Sequence, residues 1–334
     1  MKNRVLITGA TGFVGGKVVE ALSRDGDTEL HVLARDEGRA RAVLPDNVIV
    51  HTGDITCIGT LKRPLAGKEA VIHCAALMSN FDSESRETFH RVNVAGTENL
   101  LRSCDRGSLK QFIHISTVGV YGPTGATQAD ESASYGKTLS DYEWSKMMAE
   151  KALFRTARES SLPFTVLRLS QMYGEGMRYG WPETMRSIKA GSLMLPGNGR
   201  AKIHLLHIDD LVNAVKLALF NEAALGKVYN IGGPETFEIR KVFDVISKIL
   251  LVEPVRGMPY LPVYAASILL GALPGRLKSG KMKFFTPHRV SFFAEDHAYD
   301  ISRASRELKY VPSVNIGEGF GRMAEWCRRE GLLA

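Results

Sequence analysis

Short, continuous apolar runs separated by segments of helical length dominate the first half of the chain. Six such runs occur, at residues 5–7, 30–33, 48–50, 70–73, 112–115 and 164–169. Runs without polar alternation are typical of strands that are buried on both faces of a parallel sheet. Segments 86–104 and 142–160 between them are long enough to form helices. The pattern therefore predicts an α/β fold with a doubly wound parallel sheet.

A glycine-rich turn follows the first apolar run. Residues 8–15 read TGATGFVG, which places glycines at 9, 12 and 15 between a predicted strand and a predicted helix. Because glycine has no Cβ, such a turn can bring backbone N–H groups against a pyrophosphate at the positive end of the helix. Glycines also mark ordinary turns, but the strand before and the helix after predict a dinucleotide site.

The end of the second strand bears on which dinucleotide is preferred. Arg35 stands there, and its guanidinium matches the geometry of a 2′-phosphate, so we favour NADP as the cofactor. The alternative is that Asp36 binds a free ribose hydroxyl, which would select NAD. Asp54 and Ile55 follow the third strand, where they are placed to border the adenine or to form a plain turn.

Composition and charge are those of an ordinary globular protein. The 334 residues suggest two domains, and 44% hydrophobic with 24% charged residues is near the average for soluble proteins. The net charge of +7 is spread along the chain, which favours phosphorylated ligands over nucleic acid as partners. Four cysteines without paired spacing and no evident export signal lead us to expect a cytoplasmic protein with reduced thiols.

Tyr142 and Lys146 are spaced to share one face of a helix. The fifth run ends at Ser116 and Thr117, at the carboxyl edge where open α/β sheets bind ligands. A free phenol has a pKa of about 10, and a neighbouring ammonium and a nicotinamide cation would both lower it. We expect a lowered pKa at Tyr142, which would let it donate a proton to a carbonyl oxygen or remove one from an alcohol.

Taken together, these motifs resemble the extended short-chain dehydrogenase/reductases of the NAD-dependent epimerase/dehydratase superfamily. The resemblance covers nearly the whole chain. Besides the glycine turn and the Tyr142–Lys146 pair, it rests on GDI at 53–55, HCAA at 73–76, NVAGT at 93–97, VYG at 120–122 and HIDDL at 207–211. Within the superfamily the chain is most similar to the branch of 3β-hydroxysteroid dehydrogenases and dihydroflavonol reductases.

The resemblance implies roles for particular residues. Tyr142 would be the acid/base, Lys146 would bind the nicotinamide ribose, and Thr117 rather than Ser116 would hydrogen-bond the substrate oxygen. The cofactor-binding set would comprise Gly9, Thr11, Gly12, Phe13, Val14, Gly15, Arg35, Asp54, Ile55, Ala75, Ala76, Asn93, Tyr142 and Lys146. Family relatives also imply a homodimer through the helices that carry Asn93 and Tyr142. No metal site is expected, because His204 and His207 lack an evident third ligand.

The domain organisation follows from the same patterns. The alternation of strands and helices weakens after residue 169, where stretches containing glycine and proline begin. We expect a dinucleotide-binding Rossmann domain over residues 1–169, to which residues 204–232 return. Residues 170–203 and 233–334 would form a smaller C-terminal substrate domain.

The substrate is predicted from a departure from the pattern of the family's nucleotide-sugar enzymes and from one apolar segment. Nucleotide-sugar enzymes of the family commonly carry an Arg just before the HIDDL-type motif, and residues 203–207 contain none. Segment 258–285 has a largely apolar run with a basic rim, which fits a lipophilic pocket, a peripheral membrane contact or plain core packing. The leading hypothesis is an NADP-dependent oxidoreductase that interconverts a ketone and a secondary alcohol on a steroid-like or flavonoid-like small molecule. The alternatives are a nucleotide-sugar epimerase or dehydratase with NAD, and a non-catalytic cofactor-binding sensor.

Overall fold

A seven-stranded parallel sheet forms the centre of the computed structural model, which describes residues 2–78, 84–271 and 287–333. The strands of this sheet are β1 (Asn3–Thr8), β2 (Thr28–Ala34), β3 (Ile49–Thr52), β4 (Ala70–His73), β5 (Gln111–Thr117), β6 (Phe164–Leu169) and β10 (Lys227–Ile231). Shorter pairings outside it involve β7 (Gln171–Tyr173), β8 (Met194–Pro196), β9 (Lys202–His207), β11 (Thr236–Glu238) and β12 (Arg256–Met258).

Helices follow most strands of the sheet. In the first half of the chain they are α1 (Phe13–Asp25), α2 (Glu37–Arg41), α3 (Lys62–Leu65), α4 (Arg86–Phe89), α5 (Gly96–Ser103) and α6 (Asp141–Ser160). In the second half they are α7 (Trp181–Lys189), α8 (Ile208–Ala218), α9 (Ile239–Leu250), α10 (Tyr260–Gly271), α11 (Pro287–Phe292), α12 (Ser302–Glu307) and α13 (Ile316–Arg329).

The strand order β3-β2-β1-β4-β5-β6-β10 confirms the predicted doubly wound fold. Residues of β1 alternate between two apolar cores, with Val5 and Ile7 on one face and Leu6 on the other. Burial on both faces explains why the strands read as continuous apolar runs. The order reverses between β1 and β4, and open sheets of this kind bind ligands at the carboxyl ends of the strands beside such a reversal.

A second apolar core lies beyond the central sheet. It is formed by residues from β9, α7, α9 and α13, and Phe243 and Phe320 are almost completely buried in it. Strand β10 pairs in parallel with β6 and so extends the central sheet from the second half of the chain. Residues 204–232, which were predicted to return to the central sheet, therefore do so through β10. The division of the chain into two domains stays a prediction.

The apolar segment at 258–285 is described in part. Helix α10 exposes the side chains of Leu261 and Leu269, which are 75% and 72% accessible. Residues 272–286, which carry Arg276, Lys278, Lys281 and Lys283 of the expected basic rim, lie outside the described residues. Within the ranges that the structure describes, none of the helices combines the length and the apolar character needed to cross a bilayer.

The predicted helix at 86–104 is present but irregular. Helices α4 and α5 are joined by a π-helical segment, His90–Ala95, that places Asn93 and Val94 in the interior. A π-turn adds one residue to the helical repeat and therefore changes the direction in which side chains project. The helix propensities of these residues do not predict a π-helical segment. The segment contains Asn93, the first residue of the NVAGT motif.

Candidate active site

The glycine turn is formed as the sequence predicts. Gly9 has a positive φ of +70°, and a Cβ there would lie 2.7 Å from the backbone nitrogen of Ala75. A Cβ on Gly15 would lie 2.3 Å from the carbonyl oxygen of Gly9. The turn is closed by a hydrogen bond in which Gly12 N donates to Gly9 O at 3.0 Å. These contacts leave no room for side chains, so glycine is required at both positions.

Helix α1 begins at this turn with free donors. Its N-cap is Gly12, which has no side chain to accept from the first N–H groups of the helix, and the first turn carries no acidic residue. Phe13 and Val14 are the first helical residues and Thr11 precedes the cap. Unpaired N–H groups at the positive end of a helix favour a phosphate, so the turn fits a dinucleotide pyrophosphate.

Arg35 and Asp36 lie at the end of β2 with different surroundings. Arg35 is exposed and makes no ion pair with another described residue. The carboxylate of Asp36 accepts a hydrogen bond from Arg39 N at 3.0 Å and so caps helix α2. Asp54 is also engaged locally, because its carboxylate accepts from the backbone and the hydroxyl of Thr56. Both carboxylates therefore stabilise their own turns.

A buried hydrogen-bond chain supports the loop after β4. Thr8 Oγ1 accepts from Ala75 N and lies 2.7 Å from Nδ1 of His73. The other ring nitrogen of His73 is 3.0 Å from Thr97 Oγ1, which donates to Asn93 O. Burial lowers the pKa of His73 to about 3, so its ring is neutral at physiological pH. The chain fixes the loop that carries Ala75 and Ala76 against the glycine turn.

Asn93 connects that loop to helix α6. Its side-chain amide accepts from Leu77 N at 2.7 Å and donates to Leu77 O at 2.9 Å. The same amide nitrogen lies 2.8 Å from Ser145 Oγ, which in turn donates to the carbonyl oxygen of Tyr142. Asn93 therefore makes interior hydrogen bonds that position the backbone of Tyr142, while its place in the cofactor-binding set stays a prediction.

Lys146 is buried on the inner face of helix α6. Its ammonium donates to the carbonyl oxygen of Ile115 at 2.6 Å and lies 3.4 Å from Nε2 of His114. Burial lowers the pKa of Lys146 to about 8, while the Glu150 carboxylate acts in the opposite direction. An ammonium has three N–H donors, so at least one of them is left by the described partners, Ile115 and His114, to bind a ligand.

The pKa of Tyr142 is raised in the protein alone. Burial, with the carboxylate of Glu143 beside it, raises the pKa of Tyr142 to about 12. The physical reason is that desolvation disfavours the phenolate, and the Lys146 ammonium is held by Ile115. The predicted lowering depends on the nicotinamide cation as well as on Lys146, so it stays a prediction for the protein with its dinucleotide. The Tyr142 hydroxyl makes no hydrogen bond with Thr117 or Lys146.

Two neighbouring hydroxyls at the end of β5 point in different directions. Ser116 is buried, and its hydroxyl donates to Glu150 at 2.5 Å. Thr117 lines a cavity at the carboxyl edge of the sheet, and its Oγ1 accepts from Gly119 N. The choice of Thr117 over Ser116 as the substrate-facing hydroxyl is therefore consistent with the geometry.

The cavity beside Thr117 is assembled from distant parts of the chain. Its volume is about 60 Å³. Its lining comprises Thr117, Val118, Gly119, Glu143, Leu169, Ser170, Gln171, Ile203, His204, Phe292, His297 and Tyr299. None of these lining residues is a lysine or an arginine, and one of them, Glu143, is acidic. Sequence reasoning missed Glu143, His297 and Tyr299 as site residues, although Glu143 adjoins Tyr142.

These features define the class of protein. A parallel doubly wound sheet, a glycine turn that fits a dinucleotide and a buried Tyr-x-x-x-Lys helix at the same sheet edge are those of an extended short-chain dehydrogenase/reductase. The chain belongs to the NAD dependent epimerase/dehydratase family, whose sequence profile matches residues 5–232. The chain is therefore an NAD(P)-dependent enzyme, and the sensor hypothesis does not fit its family.

Proteins that are similar to this chain are named for different substrates. UDP-glucose 4-epimerase from Vibrio cholerae is 26% identical over 97% of this chain and 95% of that protein. The 2-alkyl-3-oxoalkanoate reductase from Stenotrophomonas maltophilia is also 26% identical, over 96% of this chain and 98% of that protein. The crystal structure of UDP-glucuronic acid 4-epimerase from Bacillus cereus, in complex with UDP-glucuronic acid and NAD, has a TM-score of 0.78 at 22% identity. That alignment covers 98% of this chain and 99% of the epimerase.

Proposed function

We propose that the chain uses a bound nicotinamide dinucleotide to interconvert a secondary alcohol and a ketone at one carbon of a nucleotide-sugar. The observation that carries this proposal is the convergence of three elements on one sheet edge: the glycine turn after β1, Thr117 at the end of β5, and helix α6 with Tyr142 and Lys146. In a parallel sheet all strands end on the same side, so these elements face one cleft.

The roles we propose follow from the chemistry of the side chains. Lys146 has one N–H donor left for the nicotinamide ribose, and the Thr117 hydroxyl can bind the substrate oxygen. The nicotinamide supplies a site that accepts or returns hydride. Tyr142 moves the proton at the substrate oxygen.

The direction of proton transfer depends on the charge around Tyr142. With its pKa raised to about 12, Tyr142 is protonated at neutral pH and is suited to donate a proton to a carbonyl oxygen. Removal of a proton from an alcohol needs the phenolate, which additional positive charge in the cleft would favour. We therefore propose that proton donation to a carbonyl oxygen needs no added positive charge in the cleft, whereas the removal of a proton from an alcohol does.

The comparisons support a nucleotide-sugar substrate more strongly than a steroid-like or flavonoid-like ketone. The structural neighbour from Bacillus cereus holds UDP-glucuronic acid with NAD, and the Vibrio cholerae relative is named for UDP-glucose. In such an enzyme the hydride taken from the sugar is returned to it within one cycle, so no net change of cofactor accumulates.

A lipophilic ketone is the second candidate, and two observations favour it. The cavity lining carries Glu143 and no cationic residue, which suits a neutral group better than a diphosphate. Helix α10 exposes Leu261 and Leu269, an apolar surface that fits a lipophilic substrate or a peripheral membrane contact. The relative that reduces 2-alkyl-3-oxoalkanoates is compatible with this candidate.

One experiment separates the two candidates. Purified protein is incubated with UDP-glucose, UDP-glucuronic acid or dTDP-glucose and with a series of 2-alkyl-3-oxoalkanoates, and both sugar products and NAD(P)H absorbance are followed. Sugar conversion without net cofactor change supports the first candidate. Stoichiometric NAD(P)H oxidation with the hydrophobic ketones alone overturns it in favour of the second.

The preferred cofactor is a finer part of the proposal. We propose NADP, because the Arg35 guanidinium is exposed without an ion pair to a described residue, while the Asp36 carboxylate caps α2. NAD stays the alternative, and the structural neighbour cited above binds NAD. A homodimer through the helices that carry Asn93 and Tyr142 is also proposed, and light scattering at several concentrations tests it.

A further inference from the structure

A buried carboxylate on helix α6 collects hydrogen bonds from three parts of the chain. Glu150 has no solvent exposure, and Ser116 Oγ donates to it at 2.5 Å. The Tyr135 hydroxyl donates to it at 2.8 Å. Arg168 donates through Nε and through Nη2, the latter at 2.6 Å. Four N–H or O–H donors thus converge on one carboxylate that makes no contact with water.

Global stability is a weak explanation for such a cluster. Arg168 is 5% exposed, so two charges have been removed from water, and their desolvation offsets much of their attraction. Apolar residues of similar volume often stabilise a fold as well as a buried ion pair does. What apolar residues lack is direction, because only hydrogen bonds fix the rotation and the register of the elements that they join.

The cluster joins the elements that carry the candidate catalytic residues. Ser116 directly precedes Thr117, and Glu150 is one helical turn after Lys146 on the same face of α6. Arg168 is the penultimate residue of β6, directly before the stretch that contributes Leu169 to the cavity. Each strand or helix that carries a candidate catalytic residue is therefore tied to the same carboxylate.

We propose that Glu150 is a positioning residue that fixes helix α6, and with it Tyr142 and Lys146, against the ends of β5 and β6. The inference rests on the proposed function, in which Lys146 acts as an ammonium. It adds a residue that touches neither the substrate nor the dinucleotide. Its effect reaches the reaction through the place and the charge of Lys146.

The charges around Lys146 support a second part of this role. The described titratable groups whose charges interact with that of Lys146 are His73 and Cys74 from the end of β4, His114 from β5, and Glu150 from α6. Both histidines are neutral because burial lowers their pKa, and burial raises the pKa of Cys74 to about 12. Glu150 therefore supplies the negative charge that favours the ammonium form of Lys146.

The test replaces Glu150 by glutamine and follows Lys146 itself. In protein labelled with ¹³C at lysine, the Cε resonance of Lys146 is assigned by its loss in Lys146→Arg and is titrated without cofactor. Removing the nearby anion should move the loss of the Lys146 proton about one pH unit lower in Glu150→Gln. The alkaline limb of kcat should shift in the same direction, and kcat should fall about tenfold while the KM for substrate changes little.

Matched variants separate positioning from folding. Glu159→Gln makes the same change on the exposed part of α6 and should leave both titration and kcat unchanged. Glu150→Gln leaves the Arg168 charge buried without its partner, so its thermal midpoint should fall. The double variant Glu150→Gln/Arg168→Met removes both charges and should recover the midpoint, while the Lys146 titration stays low.

Two results would overturn the inference. One is a folded Glu150→Gln protein in which Lys146 titrates as it does in Glu159→Gln. The other is a double variant that regains the wild-type Lys146 titration and kcat together with the thermal midpoint, which would make the role structural only. Because the titration needs neither substrate nor cofactor, its outcome stands even if the proposed reaction is wrong.

Discussion

The glycine turn and the substrate-side cavity lie at the same sheet edge but are built in opposite ways. The turn uses consecutive residues, from Thr8 to Gly15, and presents backbone N–H groups. The cavity uses side chains from segments as far apart as Thr117, His204 and Tyr299. A local backbone site constrains residue type tightly, whereas an assembled side-chain site can change its substrate without changing the fold. The first therefore points to the family, and the second is the part that we propose selects the substrate.

The largest effect is expected from a methyl group in the turn. In Gly15→Ala the new Cβ would lie 2.3 Å from Gly9 O, so the turn must shift and its N–H groups move away from the pyrophosphate. Each lost hydrogen bond to a charged group costs about 1.5–3 kcal/mol, so dinucleotide affinity should fall by more than about a hundredfold. Calorimetric titration with NAD and NADP measures this. Gly321→Ala, where a Cβ meets nothing within 4 Å, is the control.

Removing the hydroxyl of Tyr142 tests the part of the site that is assembled from distant side chains. Tyr142→Phe should lower kcat by about 10²–10⁴-fold, since general acid–base catalysis contributes that much, and should lower dinucleotide affinity far less than Gly15→Ala does. Stopped-flow absorbance of NAD(P)H gives kcat, and protein fluorescence gives the affinity. Tyr179→Phe, at an exposed tyrosine, should change neither quantity. Undiminished turnover in Tyr142→Phe would contradict the proposed acid/base role.

A cavity residue should affect substrate and not cofactor. Gln171 lines the cavity from β7, and Gln171→Ala removes an amide that we expect to hydrogen-bond the substrate. One such hydrogen bond is worth about 1 kcal/mol, so KM should rise by about fivefold with the dinucleotide affinity unchanged. Steady-state kinetics combined with dinucleotide binding tests this separation. An equal loss of both affinities would show that cavity and turn act as one site.

The smallest effect is expected at the end of β2. Arg35→Ala should lower NADP affinity about tenfold and leave NAD affinity unchanged, because an exposed guanidinium contributes at the low end for charged hydrogen bonds. Arg41→Ala is the matched control, since Arg41 already pairs with Glu37. Binding titrations with both dinucleotides measure the ratio. If that ratio does not change in Arg35→Ala, Arg35 has no part in cofactor choice.

Much of the fold was predictable because it depends on local pattern. The strands at 70–73 and 164–169 have the predicted limits, and helix α6 begins one residue before the predicted start. A buried parallel strand and an amphipathic helix each leave a periodic signature in a short window, and that window contains the whole cause.

Other features were not predictable because their causes lie elsewhere in the chain. One is the π-helical segment His90–Ala95. Asn93 in that segment forms hydrogen bonds with Leu77 and Ser145, which lie outside it. The raised pKa of Tyr142 in the protein alone follows from burial by the tertiary fold, which the spacing from Lys146 does not reveal. The hydrogen bonds of Glu150 to Ser116 and Arg168 likewise join residues that no sequence window contains together.

By itself, the amino-acid sequence determined the parallel sheet, the dinucleotide turn and the helix that carries Tyr142 and Lys146. Hydrophobic periodicity and the absence of a Cβ act over a few residues, so their consequences can be deduced without knowing the rest of the chain. Only the tertiary structure decided which side chains line the cavity, which hydroxyl faces it, and how burial sets the charge of Tyr142 and Lys146. Desolvation and long-range hydrogen bonds depend on what surrounds a group, and the surroundings exist only in the folded protein.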